Sequence, residues 1–119
     1  TWTLLERDVV GCAEEVASLI GELDAVILDM PEPWTAIPEM ATILRLGGRL
    51  ACYCPSPEQL AKSWATVEDS GLTVDWAGEL MERRWTLTKR GGARPGNTPI
   101  GHTALLLIAE KGPKEDEEE

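Results

Sequence analysis

Asp29 ends a short aliphatic run, Ala25 to Leu28, and is followed at once by Met30-Pro31-Glu32-Pro33-Trp34. Aliphatic and β-branched residues bounded in this way read as a buried strand, and two prolines forbid its continuation. The strand therefore delivers one carboxylate to a sheet edge. In open α/β sheets ligands sit at the carboxyl ends of parallel strands, so an acid parked there can serve a bound ring that Met30 and Trp34 flank. The same Asp-x-Pro-x-Pro spacing also describes a stiff turn whose acid caps backbone donors. Both readings fit these residues taken alone.

The elements around this stretch alternate. Trp2 and Leu4 interleave with threonines and lead to Glu6-Arg7-Asp8, the pattern of a strand closing on an acid. Val16, Leu19 and Ile20 have helical spacing in the segment from Cys12 to Ile20, and Gly21 ends it. After the Asp29 turn, Thr35 is placed to cap a helix carrying Ile37, Met40, Ala41, Ile43 and Leu44, which Gly47-Gly48 stops. Arg49 to Cys54 is the next strand, ended by Pro55. Ser56-Pro57-Glu58-Gln59 then joins a capping residue, a proline at the first helical position and a glutamine placed to close a capping box. Strand, helix, strand, helix is the signature of a parallel sheet with crossover helices.

The final third changes character. Leu72, Val74 and Trp76 alternate with polar residues, and Glu79 to Thr88 is a further strand candidate. Lys89 to Gly101 is a Gly-, Pro- and Arg-rich loop long enough to be functional. His102 to Ala109 is an almost continuous apolar run, as in a strand buried on both faces. Two late strands joined by a loop predict an antiparallel pair closing the sheet.

A chain of 119 residues with 43% hydrophobic content suffices for one domain, here 1–110, followed by a disordered acidic tail over 111–119. No apolar run approaches the roughly 20 residues that cross a bilayer, and no signal pattern opens the chain, so a soluble cytoplasmic protein is expected. Three cysteines with Cys52 and Cys54 on alternate positions match neither a zinc spacing nor a secreted disulfide framework. The formal charge of −10 argues against nucleic acid, but Glu115 to Glu119 carry much of it while Arg83, Arg84, Lys89, Arg90 and Arg94 cluster. A start at Thr1 directly in a strand pattern is that expected of a piece of something longer.

Parallel βα units, the acid-Pro-Pro-aromatic turn and the closing antiparallel pair resemble the C-terminal half of a class I S-adenosylmethionine-dependent methyltransferase, an α/β Rossmann-like fold. More narrowly the chain resembles the tRNA adenine-58 N1-methyltransferase family. The match is carried by Leu28 to Trp34, Gly47-Gly48-Arg49, Tyr53 with Pro55 and Gln59, Arg84-Trp85, Arg94-Pro95 and Gly101-His102-Thr103-Ala104. Leu46 replaces the family's usual proline, and no Gly-x-Gly-x-Gly loop follows a first strand. The resemblance thus implies a partial fold lacking its N-terminal βαβ half, with Thr1 to Asp8 left without a native sheet neighbour.

What the resemblance implies about chemistry is specific. The enzyme would transfer a methyl group from S-adenosylmethionine to N1 of an adenine in tRNA, with no metal required. Asp29 and Tyr53 would be catalytic, Asp8 and Asp29 would face the cofactor, and Met30, Trp34, Gln59, Arg84, Arg94 and His102 would contact the substrate. A carboxylate accepting a hydrogen bond from the exocyclic N6 raises electron density at N1 and balances the charge that develops there. The base must be unpaired or flipped to expose that edge. Self-association as a homotetramer is implied in the same way, and the isolated chain is expected to be inactive. The alternative is a non-catalytic truncated paralogue or scaffold module; a methyltransferase for DNA adenine N6 or a small molecule fits less well, its usual turn lacking the inserted residues seen here.

Overall fold

The apolar run before Asp29 forms a strand whose alternate side chains face opposite ways, and that alternation sets the whole architecture. The computed structural model describes residues 2–81, 83–96 and 103–112. Helix α1 (Ala13–Ile20) precedes strand β1 (Leu23–Leu28); a 3-10 turn (Pro33–Thr35) and helix α2 (Ile37–Ile43) lead into β2 (Leu44–Cys54). Helix α3 (Pro57–Asp69), β3 (Leu72–Met81), a hairpin of β4 (Trp85–Leu87) and β5 (Ala93–Pro95), and β6 (Thr103–Lys111) complete it. The main sheet has the order β1-β2-β6-β3. Strands β1 and β2 are parallel, whereas β6 lies antiparallel between β2 and β3, so the predicted crossover and the predicted closing pair both form.

Register and burial identify a single covered face. Val26, Leu50 and Ala109 lie abreast, as do Leu28, Cys52 and Leu107, and all six are buried. They join Ile37, Met40, Ala41 and Val67 of the helices in one core. The opposite face carries Ile27, Ala51, Tyr53, Leu106 and Ile108, exposed or half-buried, with Ile27 at 80% exposure. Strand β6 is therefore not shielded on both faces as its apolar run suggests.

Local chemistry explains both the successes and the departures. Gly21, at φ 78°, closes α1 by donating its N–H to the Ala17 carbonyl. Residues 2–8 carry no regular structure, so the predicted strand ending at Asp8 does not form. Thr35 does not cap α2; its hydroxyl donates to the Glu32 carbonyl at 2.7 Å, and the helix begins one residue beyond Ala36. Nor do Gly47-Gly48 stop α2. The helix passes directly into β2 at Leu44, and the glycines sit in an irregularity of that strand, where a Cβ on Gly48 would lie 2.7 Å from Leu44 Cδ1 and 2.8 Å from the Arg45 carbonyl.

The two strand candidates of the final third are redistributed. Residues 72–81 form one strand, kinked by a register shift between Val74 and Trp76, and the expected loop after Lys89 folds back as β5 against β4. Lys111 belongs to the sheet rather than the tail: its ammonium donates to the carbonyls of Ala41 and Leu44, at 2.7 and 2.8 Å, where α2 ends. Residues 113–119, the rest of the expected tail, lie outside the described residues.

All three cysteines are buried free thiols. Burial, and then the neighbouring Cys54, push the Cys52 thiol up from an ordinary 9.0 to about 12. Between those two values the unfolded chain releases a proton that the native state keeps, so stability must fall as pH rises above 9. Unfolding free energies from urea titrations between pH 8 and 10.5 should decline by up to ~1.4 kcal/mol per pH unit for this thiol. Cys52→Ala should flatten that decline.

Candidate active site

The register that pairs Leu28 with Cys52 places the next residues, Asp29 and Tyr53, side by side at the carboxyl ends of the two parallel strands. Two adjoining depressions open there. One, of about 290 Å³, is lined by Ile27, Leu28, Asp29, Ala51, Cys52 and Tyr53. The other, of about 240 Å³, is lined by Asp29, Met30, Pro31, Tyr53, Pro55 and Gln59. Each is smaller than the ~300 Å³ at which self-contained small-molecule pockets begin, and both open onto the uncovered sheet face. They suit one flat ring against Tyr53 rather than an enclosed ligand.

Asp29 is exposed, and among the described residues its carboxylate has no hydrogen-bond or ion-pair partner. The turn-capping reading of this acid is thus not what the structure shows. Asp8 is the contrasting case: its Oδ1 accepts the Val10 N–H at 3.0 Å, and it lines neither depression. Beside it Gly11 donates to both oxygens of Glu39, at 2.8 and 2.7 Å, and Arg7 pairs with Glu15, so the segment before α1 is held by structural contacts.

The remaining predicted residues divide. Met30 and Gln59 join Asp29 and Tyr53 at the second depression. Trp34 does not: it lies in the 3-10 turn with the Lys62 ammonium 4.7 Å from its ring centroid, a cation–π contact to α3. Arg84 and Arg94 belong to the β4–β5 hairpin, outside both depressions, where the Arg84 carbonyl accepts the Gly96 N–H at 2.7 Å. His102 lies outside the described residues. Trp76 and Trp85 are 44% and 60% exposed. No cluster of three metal-ligating side chains occurs among the described residues.

Ile27 and Ala51 line the site without having been singled out from sequence. The signal was available: each stands two residues before Asp29 or Tyr53 on its strand, and period two puts both on the same face.

The arrangement can accept a hydrogen bond from an exocyclic amine and offer an aromatic surface to the ring bearing it. Asp8 Oδ1 is engaged in a turn, and the sequence carries no Gly-x-Gly-x-Gly motif.

Comparison with known proteins identifies relatives of this chain and of its fold. A relative from Methanocaldococcus jannaschii, a tRNA (adenine(57)-N(1)/adenine(58)-N(1))-methyltransferase, is 29% identical over 78% of this chain and 33% of its own length. The catalytic subunit of a tRNA (adenine(58)-N(1))-methyltransferase from Candida albicans is 27% identical over 96% of this chain and 37% of its own length. The chain thus spans little more than a third of either relative. Among solved structures, a SAM-dependent O-methyltransferase from Thermotoga maritima superposes with a TM-score of 0.66 at 26% identity, covering 81% of this chain and 36% of that one. The fold is accordingly a partial class I methyltransferase sheet. The model of the family described as tRNA methyltransferase complex GCD14 subunit matches residues 1–91, and the chain belongs to that family.

Proposed function

We propose that this chain is the base-binding part of an S-adenosylmethionine-dependent enzyme that methylates N1 of an adenine in tRNA. One observation carries the reading: Asp29, a carboxylate with no partner among the described residues, stands beside Tyr53 at the carboxyl ends of two parallel strands. Adenine N1 is a weak nucleophile, and methylation leaves positive charge shared between N1 and N6. Asp29 accepts a hydrogen bond from N6, raising electron density at N1 and stabilising that charge as it develops. Tyr53 and Met30 hold the unpaired base in line. S-adenosylmethionine supplies an electrophilic methyl group; the described residues here act on the base and not on that donor.

The same reading gives the β4–β5 hairpin a role. Arg83, Arg84 and Arg94, with Lys89 and Arg90 at its turn, contact tRNA phosphates and set the register of the substrate, and His102, further along the sequence, joins them in contacting it. Exposed Leu80, Met81, Trp85 and Leu87 support self-association, including the tetramer suggested by resemblance. A cytoplasmic location belongs to this proposal, and no described helix is long and apolar enough to cross a membrane.

A second reading, a non-catalytic module of a methyltransferase assembly, is supported by the lack of a Gly-x-Gly-x-Gly motif in this sequence. Nucleoside analysis of tRNA incubated with S-adenosylmethionine and the full-length gene product separates the two. The proposal expects 1-methyladenosine. N6-methyladenosine rejects it, and absence of any product favours the scaffold reading.

A further inference from the structure

Gln59 occupies the third position of α3, where a capping box needs two reciprocal bonds: the serine hydroxyl takes the N–H of that residue, and its side chain takes the serine's own N–H. The first bond is present, Ser56 Oγ accepting from the Gln59 N–H at 3.2 Å. The side chain is directed elsewhere. Its Oε1 accepts the Ser56 hydroxyl at 2.8 Å, and its Nε2 donates to the carbonyl of Pro31 at 2.8 Å. Any residue other than proline would supply the capping N–H, so the carboxamide is surplus to the helix and is spent on the turn after Asp29. The Ser56 hydroxyl fixes which end of the amide faces that turn.

Neighbouring carbonyls need no such help. Glu32 accepts from the Thr35 N–H and hydroxyl, and Pro33 accepts from the Ala36 N–H, all within the 3-10 turn. Pro31, two residues from Asp29, is instead tied across the site to α3. Since no side chain among the described residues holds the Asp29 carboxylate, its direction is set by the backbone on either side, β1 before it and the Met30-Pro31 turn after it.

We infer that Gln59 is a positioning residue: by holding the Pro31 carbonyl it keeps the Asp29 carboxylate aimed at the bound base. The inference rests on the base-polarising role of Asp29 proposed above. In the full-length gene product, Gln59→Met keeps the side-chain volume and the helix cap but loses the bond to Pro31. It should lower kcat for tRNA methylation by about ten- to a hundredfold with KM within about twofold of wild type. Gln59→Lys restores a donor to Pro31 and should return kcat to within about threefold of wild type. Without tRNA, Gln59→Met should speed hydrogen exchange at the Met30 amide while leaving the melting temperature within a few degrees.

Unchanged kcat, a loss that Gln59→Lys does not repair, or a rise in KM at constant kcat would overturn the positioning role, the last by showing direct substrate contact. Unchanged Met30 exchange would overturn the clamp itself. A wild-type protein that forms no 1-methyladenosine removes the reading beneath the inference, and this failure is distinct because exchange is measured with no substrate present.

Discussion

Replacing Asp29 by alanine in the full-length gene product should reduce kcat for tRNA methylation by about 10²–10³-fold, the usual loss when one preorganised electrostatic partner of a developing charge is removed. Asp29→Asn keeps an acceptor oxygen for N6 but no charge, and should fall between alanine and wild type. KM for tRNA should hardly move, because phosphate contacts rather than one base contact dominate affinity. Folding should survive as well: the side chain is exposed and has no partner among the described residues, so its removal costs within about 0.5 kcal/mol. Single-turnover methylation and a thermal melt of each variant test both halves. Full activity of Asp29→Ala would end the proposed chemistry.

The largest stability effect is expected at the centre of the covered face. Leu107 is fully buried on β6, abreast of Cys52 on one side and Ala77 on the other. Leu107→Ala removes three carbons and leaves a cavity, costing about 2–5 kcal/mol. Against a total of about 5–15 kcal/mol for a domain of this kind, that is a large share. The melting temperature should fall by roughly 10–25 °C. Ile27→Ala supplies the internal contrast. An aliphatic residue of the same volume stands on the neighbouring face at 80% exposure, and its truncation should shift stability by no more than about 0.5 kcal/mol. Equal losses at the two positions would show that the second face is covered in solution.

Much of this was legible in the chain because the signals were local. Ser56-Pro57 starts α3 as read, Gly21 ends α1, and the aliphatic run from Ala25 delivers Asp29 to the carboxyl end of a strand. Where reading by punctuation failed, a distant partner had taken over the group concerned. Gly47-Gly48 mark an irregularity inside β2 because Lys111 already satisfies the carbonyls at the end of α2, and the chain needs no turn there. The Thr35 hydroxyl found the Glu32 carbonyl before it could cap a helix. Gln59 looked like half of a capping box until the Pro31 carbonyl came within reach. Trp34, three residues beyond Pro31, was read as a wall for a ring, yet a lysine on α3 holds it elsewhere. Pairings across tens of residues leave no trace in local spacing, and the site depends on several of them.

The position of β6 has a consequence for how the chain comes into being. It follows β1, β2 and β3 along the chain and yet it is an inner seam of the sheet, binding β2 on one flank and β3 on the other. Until it leaves the ribosome, the parallel pair and the long strand that follows α3 are two unjoined pieces, each with an unfilled row of amide and carbonyl groups. Closure must await contacts as far apart in the chain as Arg49 and Glu110, which makes folding slow and leaves the nascent chain reliant on protection from wrong strand partners. The arrival of β6, more than that of any earlier segment, decides when the two pieces become one sheet.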